Sequence, residues 1–263
     1  MMIQAIFFDI DGTLVSFKTL SIPLSTKAAI NQLRQKGIKV IISTGRAYCD
    51  MVNLEDLEFD GYITANGACC VDSKGETISK HPISKESMER LALYLDTNPF
   101  TCVFVTEKGN YVNYVSDMMR SICKLINIPI PPVKPLAEIL THDIFQLDAY
   151  IDAAMETELF AYVLTDCIAW RWHTFFADIN PKHCNKATGM DRFLTHFGIE
   201  REHTMAFGDG ENDISILKHA AIGVAMGNAN DDVKAAADYV TSSVDDNGVF
   251  NALRRFNVLE ETV

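Results

Sequence analysis

Both ends of the chain repeat one pattern, in which a short apolar run stops at a polar turn and a helical stretch follows. Residues 3–10 form such a run and stop at the turn 11–13, and residues 38–42 form a second run and stop at the turn 43–46. Uninterrupted apolar runs of this length are typical of strands that are buried on both faces. Strands of this kind that alternate with helices predict an α/β fold with a doubly wound parallel sheet.

The same pattern sets the bounds of individual elements. A first helix is predicted over residues 25–37, with Ser25 or Thr26 at its N-cap and Gly37 at its C-terminus. A short strand is predicted over residues 62–64. In the C-terminal part, the predicted elements are a helix over 186–197, strands over 204–207 and 222–225, a helix over 231–237, a strand over 239–240 and a helix over 249–256.

The middle of the chain, from about residue 83 to residue 180, has a different pattern. Longer alternating strands such as 101–107 stand between helical stretches, and a proline-rich segment, 129–132, lies among them. This order predicts an α+β domain inserted into the α/β one. The predicted domains are therefore an α/β core over 1–82 and 181–263 and an inserted α+β domain over 83–180.

The charge balance excludes two classes of partner. The 263 residues include 23 basic and 35 acidic side chains, which give a formal net charge of -12. Non-specific binding to nucleic acids and binding to anionic membranes both need a basic face. We therefore expect no nucleic acid and no membrane among the partners, and a monomer or a small homo-oligomer.

The cysteines and the N-terminus indicate a compartment. Seven cysteines form no C-x-x-C pair, and their odd number disfavours a disulfide framework. The first residues lack the basic segment of a signal peptide, and no uncharged apolar run approaches the roughly 18 residues of a membrane span. These features predict a protein with reduced thiols in the cytoplasm.

Two acidic turns are candidates for a metal site. Asp9 and Asp11 lie two residues apart after an apolar run, so their side chains are expected on one side of an extended chain. Two close carboxylates repel each other and need a cation or a shared proton. The second turn, residues 208–213, adds Asp209 and Asp213. Carboxylate oxygens, together with water and a phosphate, suit Mg2+.

Simpler interpretations and two known loop types compete with this metal site. A D-x-D-G sequence is also typical of a plain acidic turn, and Asn212 or Asp213 would serve as a helix N-cap. An N-cap role leaves Asp209 without an explanation. A dinucleotide-binding G-x-G-x-x-G loop is excluded, because Asp213 stands at the third glycine position. An EF-hand is excluded because Leu14 occupies the position that requires glycine.

Thr44, Gly45 and Lys186 are candidates for phosphate binding. Thr44 and Gly45 offer a hydroxyl and backbone amides at the end of a predicted strand. Lys186 begins a predicted helix, where the dipole disfavours a cation, so an anionic ligand would explain it. Taken alone, the Thr-Gly pair is typical of a turn and the lysine of a solvated side chain. Because ligands bind outside the carboxyl ends of parallel strands, these residues and the acidic turns are expected to meet.

Taken together, the motifs resemble those of the haloacid dehalogenase superfamily of phosphotransferases. The first to fourth motifs are residues 9–13, residues 43–46 with Thr44, Lys186, and residues 208–213. Residues 66–68, residues 221–229 and the large insertion are similar to the Cof-type branch, whose cap is of subclass IIB and which includes bacterial hexose-phosphate phosphatases. The resemblance implies a Rossmann-like core with an α+β cap. One departure is Ala187, where the branch often has glycine.

The resemblance also implies a mechanism, that of a Mg2+-dependent phosphomonoesterase with an aspartyl-phosphate intermediate. Asp9 would attack phosphorus, and Asp11 would protonate the leaving alcohol and then activate water. The implied metal ligands are Asp9, the main-chain carbonyl of Asp11, Asp209 and, mainly indirectly, Asp213. The implied phosphoryl-binding residues are Thr44, Gly45, Lys186 and Asn212.

Several alternatives stay open. Small phosphorylated metabolites, above all hexose phosphates, are the expected substrates, and pyridoxal phosphate or flavin mononucleotide is the alternative. A phosphomutase and a non-catalytic binding protein are possible on the same fold. A dehalogenase is disfavoured, because it needs neither Asp11 nor a metal. Arg46 is interpreted either as part of a phosphate pocket or as a structural ion-pair partner.

An aromatic and polar cluster in the inserted domain is the candidate for substrate selection. It consists of Trp170, Arg171, Trp172, His173 and Phe175. One interpretation is a wall that contacts a sugar or another ring. The other is an alternating strand whose aromatic residues pack in the core of the inserted domain, and this is preferred for at least half of them.

Overall fold

The computed structural model describes residues 2–51, 54, 57–125 and 128–259. The chain divides into two compact units. Unit 1 comprises Met1–Ser79 and Asn185–Val263, and unit 2 comprises Lys80–Cys184. Because unit 2 is continuous in sequence and unit 1 is not, unit 2 is an insertion into unit 1.

The strands and helices follow one another along three segments of the chain. The first segment contains β1 Ala5–Phe8, α1 Leu24–Gln35, β2 Lys39–Ser43, β3 Gly61–Thr64, β4 Cys69–Asp72 and β5 Thr77–Lys80, the last residue of which is the first of unit 2. There follow α2 Lys85–Thr97, β6 Cys102–Thr106, β7 Gly109–Val112, α3 Asp117–Leu125, α4 Leu136–Ile139, β8 Ile144–Ala149, α5 Ala153–Tyr162, β9 Cys167–His173 and β10 Phe176–Pro181. The last segment contains α6 Lys186–Phe197, β11 Thr204–Gly208, α7 Ile214–His219, β12 Ile222–Ala225, α8 Asp231–Ala236, β13 Tyr239–Val240 and α9 Gly248–Arg255.

Unit 1 is built on an eight-stranded sheet in the order β13-β12-β11-β1-β2-β3-β4-β5. The strands from β13 to β3 are parallel, and β4 runs antiparallel to β3. Successive side chains of β1 point to opposite faces. Phe8 packs in one apolar cluster with Phe207, whereas Phe7 packs in a second one with Ala206. Both faces are therefore covered, which confirms the predicted α/β fold with a doubly wound parallel sheet.

The predicted bounds hold to within a few residues, but the predicted cap of α1 is wrong. Pro23 stands at the N-cap position, and no side chain caps this helix end. The Ser25 hydroxyl instead donates to Asn247 Oδ1, and the side chain of Thr26 is buried. Proline has no side-chain oxygen that could accept from the first N–H groups of the helix, so α1 begins without a side-chain cap. Gly37 follows the C-cap Lys36 with a φ of 76°, as a helix-terminating glycine does.

Unit 2 contains a five-stranded sheet in the order β7-β6-β8-β10-β9, and its strands pair antiparallel. One face carries an apolar cluster that includes Leu91 of α2 and Leu159 of α5. A smaller cluster on the other side includes Met119 of α3 and Phe176. This arrangement confirms the predicted α+β class of the inserted domain.

Two observations concern both units. Within residues 2–51, 54, 57–125 and 128–259, no helix is both long enough and apolar enough to cross a membrane. No disulfide joins any two cysteines in the same ranges.

Candidate active site

The polar turns of unit 1 follow neighbouring parallel strands. Asp9 comes directly after β1, Thr44 after β2 and Asp209 after β11. These three strands are adjacent in the sheet, and their registers bring Phe8 level with both Phe207 and Ile42. Their carboxyl ends therefore lie at one edge, and the turns meet there as the sequence predicts.

Lys186 lies at the centre of this group. Its Nζ is 2.6 Å from Asp9 Oδ1 and 2.6 Å from Asp213 Oδ1, and its side chain is completely buried. The interpretation of Lys186 as a solvated surface side chain is therefore wrong. A buried ammonium group needs carboxylate partners of this kind, because the loss of hydration would otherwise be too costly.

Local sequence explains why Lys186 stands at this point. Asn185 caps α6: its Oδ1 accepts from the Thr188 N–H, and the Thr188 hydroxyl accepts from the Asn185 N–H. The turn after β3 packs directly on this cap, since a Cβ on Gly67 would lie 2.1 Å from the Asn185 carbonyl oxygen. Gly67 also has a φ of 97°, which favours glycine. The cap could have been found from the spacing of Asn185 and Thr188.

Three carboxylates form a compact cluster. One oxygen from each of Asp9, Asp209 and Asp213 lies within 4.8 Å of the others. Asp213 Oδ2 accepts hydrogen bonds from the N–H groups of Asp209 and Gly210, at 3.0 and 2.9 Å. Asp213 precedes α7 but does not cap it with its side chain. Its carboxylate instead stabilises the turn that carries Asp209.

The Asp209 carboxylate is oriented by two neutral donors. Thr13 Oγ1 donates to Oδ1 at 2.9 Å, and Asn228 Nδ2 donates to Oδ2 at 3.1 Å. Asn228 also donates to the Gly12 carbonyl and accepts from the Val244 N–H, both at 2.9 Å. Sequence reasoning gave Asn228 no role. Its position just after β12, at the same edge of the sheet, was the signal that could have identified it.

Asp11 lies apart from the three clustered carboxylates and is held by Arg46. Arg46 Nε donates to Asp11 Oδ2 at 2.8 Å, and Nη2 donates to Oδ1 at 2.6 Å. Of the two interpretations of Arg46, the structure shows the ion-pair partner. A bidentate guanidinium fixes both the position and the orientation of a carboxylate.

Asn66 connects the turns that contain Thr44 and Asn212. The Asn66 N–H donates to the Thr44 carbonyl at 3.0 Å, and its Oδ1 accepts from Asn212 Nδ2 at 2.9 Å. Gly45 lies against the same side chain, since a Cβ there would be 3.3 Å from it. The Thr44 hydroxyl accepts from the Arg46 N–H at 3.1 Å. Three of the predicted phosphate-binding residues, Thr44, Gly45 and Asn212, are thus linked through a residue to which the sequence assigned no role.

The electrostatics of the cluster favour a bound cation. Burial raises the pKa of Asp9 well above its usual value, Lys186 opposes this shift, and the neighbouring carboxylates add to it. Burial and the Asp213 carboxylate raise the pKa of Asp209 to about 7. For Lys186, burial would lower the pKa, but Asp213 and Asp9 outweigh it and raise the pKa. One lysine therefore does not neutralise the three carboxylates.

Two aromatic residues of the cluster that the sequence singles out in unit 2 lie outside its apolar core. Trp170 and Phe175 lie outside both apolar clusters of the unit, and Phe175 is 41% exposed. Arg171 donates to Glu156 Oε2 and to the carbonyls of Ile151, His173 and Thr174. The side chain of Trp172 lies outside the described part of the structure. The core interpretation, preferred for at least half of the cluster, therefore does not hold for Trp170 and Phe175.

Comparison with known proteins decides the family. Residues 6–253 match the model of the haloacid dehalogenase-like hydrolases. The chain belongs to this family. The family predicted from the motifs is thus confirmed, and the chain is an enzyme, a phosphatase of the haloacid dehalogenase class.

Three relatives of this hydrolase illustrate the similarity. The structure of the phosphatase BT1666 from Bacteroides thetaiotaomicron superposes with a TM-score of 0.91 at 36% identity, over 98% of this chain and 96% of that one. The structure of BT4131, a sugar phosphatase of subclass IIB, has a TM-score of 0.89 at 41% identity, over 97% and 100%. The 5-amino-6-(5-phospho-D-ribitylamino)uracil phosphatase YcsE of Bacillus subtilis is 29% identical, over 97% of this chain and 96% of its own.

Proposed function

We propose that this hydrolase is a Mg2+-dependent phosphomonoesterase that acts on small phosphorylated metabolites, above all hexose phosphates, through an aspartyl-phosphate on Asp9. The observation that carries the proposal is the cluster of Asp9, Asp209 and Asp213 beside the buried Lys186, at the carboxyl edge of the sheet. Carboxylates and an ammonium group in one water-poor site can bind a cation and a phosphoryl group side by side.

The donor set fits Mg2+. Its members are carboxylate oxygens, which Mg2+ prefers, and no cysteine or histidine is part of the cluster within the described ranges. Asp9 and Asp209, with the Asp11 main-chain carbonyl, would hold the ion. Asp213 would act mainly indirectly, because its oxygens already accept from Lys186 and two backbone amides. The bound ion would supply positive charge to the phosphoryl oxygens.

Asp9 is the proposed nucleophile. Lys186 holds Oδ1, which leaves Oδ2 as the oxygen that attacks phosphorus. The Asp9 O–P bond forms as the bond from phosphorus to the ester oxygen breaks, and the alcohol leaves with a proton from Asp11. Water then attacks the aspartyl-phosphate, Asp11 takes the proton of that water, and inorganic phosphate is released.

Asp11 is the proposed general acid and base. Its bidentate contact with Arg46 fixes the position and orientation of the carboxyl group. General acid–base catalysis contributes about 10²- to 10⁴-fold to a rate. Uncatalysed phosphate monoester hydrolysis is slow enough that enzymes reach accelerations of up to about 10²¹-fold. Most of the effect must therefore come from positioning and charge stabilisation.

Thr44, Gly45, Lys186 and Asn212 are the proposed phosphoryl-binding residues. Lys186 supplies the charge. At the end of β2, Thr44 supplies its hydroxyl and Gly45 its backbone amide, whereas the Thr44 N–H already donates to the Ile63 carbonyl. The contact between Asn212 and Asn66 places the Asn212 amide beside this turn. Unit 2 is proposed to select the leaving group, as a cap domain.

The choice of hexose phosphates rests on similarity to the sugar phosphatase BT4131. Flavin mononucleotide or pyridoxal phosphate is the alternative substrate, because the relative YcsE is named for a ribitylaminouracil phosphate and not for a sugar phosphate. We also propose a cytoplasmic location and no nucleic-acid or membrane partner, on the basis of the acidic balance and the cysteine pattern.

The test is a phosphate-release assay over hexose phosphates, flavin mononucleotide and pyridoxal phosphate, with and without Mg2+. Release of inorganic phosphate from hexose phosphates, its loss in EDTA and its return with excess Mg2+ are expected. Conversion of one hexose phosphate into its isomer without phosphate release would identify a phosphomutase instead. Binding of phosphate esters without turnover of any of them would identify a non-catalytic binding protein.

A further inference from the structure

Phe17 is an exposed aromatic residue beside the carboxylate cluster of unit 1. Its side chain is 66% exposed, although a large apolar side chain is normally buried. A Cβ on Gly12 would lie 2.1 Å from Asp209 Oδ2 and 2.7 Å from Phe17 Cε2. The edge of the ring and the Asp209 carboxylate therefore lie next to each other at Gly12.

The turn that carries Phe17 is closed by its own hydrogen bonds. The Ser16 N–H donates to the Ser21 carbonyl, and the Leu20 N–H donates to the Ser16 carbonyl, at 3.1 and 2.9 Å. The Ser16 hydroxyl accepts from the Lys18 N–H at 3.0 Å. Leu20 has a φ of 53°, an unfavourable conformation for a residue with a Cβ. The surrounding hydrogen bonds hold this conformation in place.

The same short segment fixes this turn and the Asp209 carboxylate. Asp245 accepts from the Ser16 hydroxyl at 2.6 Å and forms an ion pair with Lys18 at 2.7 Å. The preceding residue, Val244, donates its N–H to Asn228, whose side chain donates to Asp209. The position of the Phe17 ring relative to the carboxylates is thus set by polar contacts, while the ring itself stays open to solvent.

We propose that Phe17 is a specificity-determining residue whose ring contacts the C–H groups of the leaving group. The inference rests on the proposed function, because it places the phosphoryl group of the substrate at the carboxylate cluster. A group esterified to that phosphate begins within contact distance of an aromatic ring beside Asp209. A sugar ring has a face of C–H groups that packs well on an aromatic ring, whereas a two-carbon leaving group is too small to cover it.

The experiment compares a hexose 6-phosphate with acetyl phosphate in the wild type and in Phe17→Ala, Phe17→Leu, Phe17→Tyr and Leu24→Ala. Leu24 is the control, since it is an apolar residue of the same unit that is 81% exposed. In Phe17→Ala we expect the KM for the hexose phosphate to rise about five- to tenfold with kcat within about twofold. Phe17→Leu should show a smaller rise, and Phe17→Tyr, which keeps the ring, should restore the KM.

The acetyl phosphate parameters distinguish leaving-group contact from a structural role. They should stay within about twofold of the wild-type values in every variant. An unchanged KM for the hexose phosphate in Phe17→Ala, an equal change for both substrates, or the same change in Leu24→Ala would overturn the role of Phe17 alone. A wild-type enzyme that hydrolyses neither substrate would overturn the proposed function and this inference with it.

Discussion

The two units each place carboxylates close together, but a cation lies beside the carboxylates only in unit 1, among the residues that the structure describes. In unit 1, Lys186 lies between Asp9 and Asp213 at 2.6 Å from each. In unit 2, Asp178 of β10 lies directly opposite Asp148 of β8, and Asp178 forms no ion pair with any residue in the described ranges. Like charges directly opposite each other destabilise a pair of strands.

The pKa of Asp178 shows how unit 2 accommodates this pair. Burial, and then the Asp148 carboxylate, raise the pKa of Asp178 well above its usual value. In unit 1 the pKa of Asp9 is raised as well, but there Lys186 opposes the shift, whereas in unit 2 burial and Asp148 act on Asp178 in the same direction. A cation beside the carboxylates favours the ionised form that nucleophilic attack and metal binding need, whereas a bound proton makes a carboxyl unsuited to either role. This difference separates the proposed catalytic cluster from a structural one.

The largest expected effect is that of Asp9→Asn on turnover. The variant lacks the nucleophile but keeps the shape of the side chain, so kcat should fall by at least about 10³-fold while the fold is kept. The measurement is phosphate release from a hexose phosphate with Mg2+. Asp96→Asn, at an exposed position of α2, is the control and should leave kcat unchanged. Turnover of Asp9→Asn close to the wild-type rate would refute Asp9 as the nucleophile and the carboxylate cluster of unit 1 as the catalytic site.

Lys186→Met tests how much the buried ammonium group of unit 1 stabilises the protein. It leaves Asp9 and Asp213 without their buried partner, and the free energy of unfolding should fall by about 3–5 kcal/mol. Urea unfolding in EDTA measures it. The control is Lys80→Met, which removes an exposed pair with Asp143 and should change the free energy of unfolding by less than about 1 kcal/mol. Equal free energies of unfolding in the two variants would mean that Lys186 does not stabilise the carboxylate cluster of Asp9, Asp209 and Asp213.

Asn228→Ala sharpens the description of the unit 1 cluster. The variant removes the donor to Asp209 Oδ2 and to the Gly12 carbonyl. Loss of a group that orients a metal ligand typically weakens metal binding about 10- to 100-fold. Titration calorimetry with Mg2+ on metal-free protein measures the affinity. Asn251→Ala, whose side chain donates to Ser242 and Asp246, is the matched control. The orienting role is refuted by equal Mg2+ affinities in Asn228→Ala and wild type.

Asp178→Asn has the smallest expected effect. It tests whether the raised pKa of Asp178 makes the stability of the protein depend on pH. The folded pKa of Asp178 is raised above its unfolded value of about 4, so the folded state binds the proton more tightly. Its contribution is therefore present at low pH and is lost as pH rises from about 4 through the folded pKa. The fall in Tm between pH 5 and pH 8 should be smaller in Asp178→Asn than in the wild type or in Asp96→Asn. An equal fall in all three would show that Asp178 is ionised in the folded protein.

The fold was predictable from local patterns, and the errors occurred where tertiary contacts override them. The apolar runs identified the strands of the parallel sheet, because a strand covered on both faces has no polar positions. The cap of α1 was misassigned because Ser25 bonds to Asn247, more than 200 residues away, instead of to its own helix. At least half of the aromatic and polar cluster of unit 2 was expected in the core, but alternation does not show which face of a strand is covered, and Trp170 and Phe175 lie outside both apolar clusters.

For the candidate site, the order of motifs predicted which residues meet but not how they are paired. Asp9, Asp209 and Asp213 come together because parallel neighbouring strands end at one edge. The contacts that fix the site link residues far apart in sequence. Arg46 and Asp11 are 35 positions apart, Asn66 and Asn212 are 146 apart, and Asn228 and Gly12 are 216 apart. No spacing rule covers such contacts, so the sequence reasoning left the role of Arg46 open and gave the two asparagines none.

The sequence by itself determined the family, the α/β class, the insertion and the acidic residues of the site, because these depend on hydrophobic period and on short motifs. The tertiary structure alone decided which charged side chains of the cluster are buried and which of them form pairs. Lys186 is buried and doubly paired, which depends on how closely the turn at Gly67 approaches the start of α6. It also placed Phe17 beside Asp209, since the turn that carries Phe17 is closed by its own hydrogen bonds and is also held by Asp245, more than 200 residues away.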